Sequence, residues 1–279
     1  MAVSAIAPSA VSQWITPQEQ LQRLRDELHD YMVPPLKEGT SECLCPSLED
    51  IVVEYAGDPN LINWYRALEL IDALPDKIPP LPRGIVQILN SGCPIRSGDK
   101  KSDETTYKLT DTHSLYLIPP DSLTQFEARI RAYGARIYPY RKNPLRFERF
   151  WDMAHRRYGN VRPNTYEWVL ISNDVLEGSI GESFVTQAKM VADLSRKAFA
   201  SYEVPSLREF AMAMFLHKVA TKESLLESKG YSAIFTRVQE AEYGHQLVIS
   251  GPGSSGMHVN AEVLLDEDVG MAVLRRVGA

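Results

Sequence analysis

The residues able to do chemistry are few and scattered. Six histidines, His29, His113, His155, His217, His245 and His258, are spread along a chain of 279 residues. No two stand as H-E-x-x-H, the spacing that puts a pair of imidazoles on one helix face to hold zinc. Cys43-Leu44-Cys45 supplies half of a thiolate site, and no second Cys or His pair follows at zinc spacing. With Cys93 the cysteines number three. An odd count without framework spacing argues for free thiols in a reducing compartment. The expectation is therefore no metal and no cofactor.

Two loops invite a site. Gly251-Pro252-Gly253-Ser254-Ser255-Gly256 looks like a phosphate cradle, but Met257-His258 stands where a P-loop needs Lys-Ser, and a strand follows instead of a helix. The same run is one residue short of the G-x-S-x-G nucleophile elbow. A hairpin connection accounts for its glycines through their backbone freedom. The second loop, Asn173-Asp174 to Glu177-Gly178-Ser179, links a strand to the longest helix. Loops beyond the carboxyl ends of strands are common ligand positions. The competing account makes Ser179 the helix cap, with Asp174 and Glu177 near the helix's positive end. An enzyme pocket built from these loops would gather His113, Asp174, Glu177, Arg237, Glu240 and His258, imidazoles and carboxylates suited to proton transfer.

Charge is unevenly spread. Arg129, Arg131, Arg136, Arg141, Lys142, Arg146, Arg149, Arg156, Arg157 and Arg162 face only Glu148 and Asp152, a local +8 against −14 for the remainder. Such a segment marks a face for acidic partners, or an internal complement to the acidic rest. Its tyrosines, phenylalanines and Trp151 add a nucleic-acid vocabulary. Phe147, Phe150, Trp151 and Ala154 recur at helical spacing, however, which predicts core. Arg141, Lys142, Arg156 and Arg157 flank that apolar face and are the candidate partner-binding residues. Nucleic acid is not favoured, given the chain's net charge of −6.

The elements that would position these residues read as follows. Thr16-Pro17-Gln18-Glu19 opens an amphipathic helix with Leu21, Leu24 and Leu28, ended by Pro34-Pro35. Two short helices fill 46–74, and four prolines in 75–82 suit a stiff linker. A short helix is expected at 83–90 and an exposed loop at 97–110. Strands at 114–118 and 136–140 around a helix at 121–133, ended by Gly134, predict a strand–helix–strand unit. A helix at 145–158, a strand at 167–172, a helix at 181–199 and a capping-box helix from Ser206 follow. Four strands, 231–240, 245–250, 257–265 and 271–277, close the chain as an antiparallel meander. The fold class is α+β, divided as a flexible tail 1–15, a helical region 16–80 and a mixed α+β domain 81–279. No apolar run reaches the roughly 20 residues of a membrane span. The opening residues have no basic segment of a secretory signal. The expected location is the cytoplasm, or a host cell reached without a conventional signal peptide.

An ordered set of short motifs carries a resemblance. They are Pro80-Leu81-Pro82, Ile88-Leu89-Asn90, Cys93-Pro94, Asp111-Thr112-His113, Leu117-Ile118-Pro119 and Trp168-Val169-Leu170. Asp174-Val175-Leu176-Glu177-Gly178-Ser179, Tyr202-Glu203-Val204-Pro205, Thr236-Arg237-Val238-Gln239-Glu240, Gln246-Leu247-Val248 and Ala272-Val273-Leu274-Arg275-Arg276 follow. Over roughly residues 80–277 the chain resembles a multi-copy family of proteins from chlamydia-like bacteria that live in amoebae. The resemblance implies no reaction, cofactor or catalytic residue. Some relatives carry an F-box-like helical segment ahead of this region. Here 46–74 holds a Pro-x-Leu-Glu-x-Ile start, with the usual Leu-Pro displaced to Cys45-Pro46.

The function expected from the sequence is a protein-interaction module, with an effector that binds a host protein as its sharpest form. The alternatives are an enzyme with a site near loops 173–179 and 251–258, and a nucleic-acid or anionic-surface binder acting through 129–162.

Overall fold

The three longest described helices begin at a serine cap. Ser122, Ser183 and Ser206 each accept the backbone N–H three residues on, and Gln125 and Glu209 complete capping boxes for the first and third. The computed structural model describes residues 59–76, 78–95, 107–139, 143–150, 152–226, 234–252, 256–261 and 268–278. In chain order the described elements are α1 (Pro59–Leu70), α2 (Ile85–Asn90), α3 (Leu109–Thr112), β1 (His113–Ile118), α4 (Leu123–Ile137), β2 (Phe147–Phe150), α5 (Asp152–Tyr158) and β3 (Glu167–Ser172). Then come α6 (Phe184–Ala198), β4 (Tyr202–Glu203), α7 (Leu207–Thr221), β5 (Phe235–Glu242), β6 (His245–Ser250), β7 (Met257–Ala261), β8 (Val269–Gly270) and β9 (Leu274–Arg276).

The strands form two sheets. One has the order β1-β3-β9-β4 and is antiparallel throughout. The other, β2-β7-β6-β5-β8, is mixed: β7, β6 and β5 run antiparallel, while β2 joins β7 and β8 joins β5 in parallel. The protein is α+β.

Helix α7 holds the core. Leu207 to Leu216 is an unbroken buried run, so the helix is enclosed on every side. It packs against α1, α4, β1, β5 and β6, with the Phe215 ring centroid 5.4 Å from that of Phe147. Trp64 of α1 is fully buried in the same core and meets Trp168 edge to face at 4.7 Å. Trp168 donates its Nε1–H to the Pro80 carbonyl at 2.9 Å. Helix α6 covers a smaller apolar cluster, where Val191 and Leu194 meet Leu176, Tyr202, Met271 and Val273.

Residues 271–273 run between the two sheets. Their backbone N–H groups find three buried hydroxyls in succession: Ser179 Oγ accepts from Met271 at 3.0 Å, Thr236 Oγ1 from Ala272 at 2.7 Å and Ser172 Oγ from Val273 at 3.0 Å. Side chains thus replace the ladder partners that buried backbone requires.

Several expectations are corrected. The fourth terminal segment does not extend the meander. Its residues 274–276 cross to the first sheet as β9, because the hydroxyls above carry the chain across. Gly134 does not stop α4, whose last turn closes with Tyr138 N–H on the Gly134 carbonyl. The expected strand at 136–140 is therefore helix at its start, and β1 pairs antiparallel with β3, so no strand–helix–strand unit forms. The first part of 145–158 is strand, drawn into parallel pairing with β7. Ser179 is not the cap of α6; Ser183 is, at 3.2 Å from the Thr186 N–H. Helix α1 stands ahead of residue 80 and shares the core of the sheets. The tail 1–15, the helix from Thr16 and the 46–57 helix lie outside the described residues.

Candidate functional site

Loop 173–178 is braced from four sides. Asn173 accepts from Ser114 Oγ at 2.7 Å and donates its backbone N–H to the Thr112 carbonyl at 2.8 Å. Leu176 N–H reaches the Met271 carbonyl at 2.8 Å. Behind the loop, buried Gln187 of α6 donates to the Ser179 and Val269 carbonyls. A surface loop held this way presents its side chains on a fixed frame.

The frame opens into a cleft of about 680 Å³ at the carboxyl end of β3. Val175, Leu176, Ile95, Ile180 and Ile234 give it apolar walls, and Thr112, Ser172 and Asn173 line its polar side. Asp111, Asp174 and Glu177 add three carboxylates, and no Lys, Arg or His is among the described lining residues. Two of the carboxylates also serve the backbone. Asp111 accepts from the Lys108 N–H at 2.8 Å, and Asp174 from the Val175 N–H at 2.8 Å.

Under the cleft lies a chain of small polar contacts. Cys93 Sγ is 2.9 Å from Thr112 Oγ1, which is 2.9 Å from His113 Nδ1. His113 is fully buried beside the Tyr202 ring. Burial, with the nearby Arg275 charge as the smaller cause, pushes its pKa down to about 3, so the imidazole is neutral.

A second cleft, about 520 Å³, opens at the amino end of α7 and has a different character. Two of its carboxylates, Glu167 and Glu209, are matched by guanidiniums. Arg276 pairs with Glu203 at 2.6 Å, Glu209 at 2.7 Å and Glu167 at 3.4 Å. Arg208 donates to the Asp121 and Pro119 carbonyls. Glu240 accepts the Leu207 N–H, and burial, ahead of the Glu209 charge, pushes its carboxyl pKa up. Every hydrogen-bonding group named here has an internal partner, so this cleft is built as a fastening.

The six residues expected to share one pocket do not. Asp174 and Glu177 line the first cleft, and His113 lies beneath it behind Thr112. Glu240 belongs to the second cleft. Arg237 is buried and donates to the Glu182 carbonyl at 2.7 Å. His258 sits on β7 opposite Ser250 and lines neither cleft. Sequence reasoning missed Asp111 and Thr112 as cleft residues. The signal was their place just before β1, whose amino end lies beside the carboxyl end of β3 only once the two strands pair antiparallel.

Half of the basic segment's cations meet carboxylates within the fold. Arg129 pairs with Asp121 at 2.8 Å, Arg136 with Asp72 at 3.8 Å and Arg157 with the buried Glu242 at 3.3 Å. Arg131 lies 3.8 Å from Glu127, and Arg162 donates to the Pro120 carbonyl. Arg156 and Arg157 border a shallow hollow with Glu242 and Tyr243. Arg141 and Lys142 lie outside the described residues. Among the described residues no group of three or more His, Cys, Asp or Glu could hold a metal ion, and no helix is long and apolar enough to cross a membrane.

No family model, curated protein or solved structure matches the chain.

Proposed function

We propose that the chain is a protein-interaction module whose cleft at the carboxyl end of β3 takes a basic segment of a partner. The observation that carries this reading is the gathering of three carboxylates, Asp111, Asp174 and Glu177, beside the apolar walls of one cleft. Apolar walls beside carboxylates suit Lys and Arg, whose stems pack on Val175, Leu176 and Ile180 while the charged ends meet the acids. Clustered surface charge of one sign draws opposite charge and orients it, with modest affinity and strong salt dependence. The resemblance to proteins of amoeba-associated bacteria extends the reading to a host protein as partner.

The enzyme reading stands second, on the Thr112 hydroxyl held between Cys93 and His113 at the cleft floor. A neutral imidazole whose pKa lies near 3 is a weak base for that hydroxyl. An acidic cleft and internally paired arginines speak against the nucleic-acid reading.

The test is a titration with an extended Lys/Arg-rich peptide and its Glu-substituted counterpart, followed by fluorescence anisotropy. The basic peptide should bind and the acidic one should not. Asp174→Asn with Glu177→Gln should weaken binding at least tenfold, and raising salt should weaken it further. Equal binding to the wild type and the neutralised variant sinks the proposal. Loss of an activity in Thr112→Val, with peptide binding kept, would move the enzyme reading to the front.

A further inference from the structure

Helix α6 is apolar on two sides. Its inner side, Val191 and Leu194, is buried in the smaller cluster. Its outer side carries Val185, 79% exposed, and at the helix end Phe199, 94% exposed. Val185 and Ala192 are seven residues apart, so at about 100° per residue they share one stripe, within roughly 20°. Phe199 stands one residue past the last helical residue, about 21 Å along the axis from Val185 at 1.5 Å per residue. Exposed Lys189 and Arg196 follow the same spacing along its flank.

Phe199 is held at φ 48°, ψ 38°, the left-handed conformation that commonly ends helices and that glycine takes without strain. A phenylalanine there is strained, and exposure returns nothing to the fold for it. Backbone strain combined with an uncovered ring points to a role outside the fold's own stability.

The charge of the stripe selects the occupant. Within 185–199 the cations are Lys189, Arg196 and Lys197, and the sole anion is Asp193, which contacts Arg196. A second copy packed antiparallel would set Lys189 against the copy's own basic end, a like-charge contact that association avoids. We infer that the outer face of α6 docks an amphipathic helix of a partner protein, with apolar residues at seven-residue spacing and acidic flanks. Val185 and Phe199 are the two anchors, and Ala188 and Ala192 between them let the partner's backbone come close. None of the residues lining the acidic cleft lies on α6, so this surface stands apart from the proposed one.

The experiment uses the full chain and two synthetic peptides of three heptads, Leu at each a and Ala at each d position, flanked by Glu in one and Lys in the other. Anisotropy should show binding of the Glu peptide alone. Lys189→Glu with Arg196→Glu should reverse that preference. Phe199→Gly should weaken binding at least tenfold while raising the melting temperature by about 2 °C, because strain leaves with the ring. Asp174→Asn with Glu177→Gln should leave it unchanged. Hydroxyl-radical labelling should mark Phe199 in the free chain and not in the complex. The inference is overturned by equal binding of both peptides or of neither, by unweakened binding in Phe199→Gly, by protection of Phe199 in the free chain, or by a dimer in sedimentation that Phe199→Gly dissolves.

Discussion

The Glu240 carboxylate accepts the Leu207 backbone N–H at 2.7 Å, so a side chain of β5 sits on the positive end of α7, 33 residues away in sequence. Glu209 occupies the same helix end through its capping box with Ser206. Burial and the second carboxylate make Glu240 bind its proton more readily in the folded chain than in the unfolded one. Its contribution to stability therefore declines as pH rises from the ordinary carboxylate value through the raised one. Glu240→Gln keeps an oxygen for the N–H and removes that decline, so the variant should gain on the wild type between pH 4.5 and 7 in urea unfolding. Glu240→Ala leaves the N–H orphaned and should cost about 1–2 kcal/mol.

Buried His113 and half-buried His217 act at the acid end. His113 is held near 3 by burial and Arg275, and His217 near 4 by burial and Lys218. Both folded values lie below the unfolded one, so each imidazole's contribution is complete above about 6.5 and is lost as pH falls toward 4. Each should remove about 1.4 kcal/mol per pH unit over that window. His217→Gln can keep the 2.9 Å bond to the Tyr116 hydroxyl. Its stability deficit against the wild type should shrink at that rate as pH falls, measured by denaturant unfolding at half-unit steps. A deficit constant with pH would contradict the burial argument.

A Cβ on Gly270 would lie 2.7 Å from Val175 Cβ. Val175 is a wall of the acidic cleft, so β8 and the cleft loop touch at the one residue small enough to allow it. Gly270→Ala should destabilise by about 1–3 kcal/mol, the usual cost of overpacking. Adding Val175→Ala should recover much of that loss, and the double-mutant cycle reads the coupling.

Helix α1 is not a detachable appendage. Trp64→Ala should cost about 3–5 kcal/mol, the range for a fully buried aromatic. A chain beginning at Leu81 should fail to give a cooperative unfolding transition. A soluble, cooperatively folded 81–279 fragment would show that the sheets hold without α1.

Legibility followed the range of the forces involved. Ser206 with Glu209 was readable because a capping box is complete within four residues. The runs at β1, β3, β5 and β6 were readable because an apolar strand buried in a sheet needs an apolar sequence whatever its partner. Phe147 to Phe150 was misread because helical spacing and strand alternation coincide over so short a stretch. Only pairing with β7 decides between them. Ser179 looked like a cap because its neighbours allow it, yet its hydroxyl serves Met271, 92 residues on.

The sequence by itself determined the α+β class and, to within two residues, the starts of α4 and α7. Those are local matters of capping, backbone freedom and apolar patterning. Only the tertiary structure decided that Asp111 joins Asp174 and Glu177 in one cleft, that Glu240 is spent on a helix end, and that the arginines of 129–162 mostly meet internal partners. Charges interact through space and not along the chain, so which of them meet is fixed only when strands and helices have been brought together.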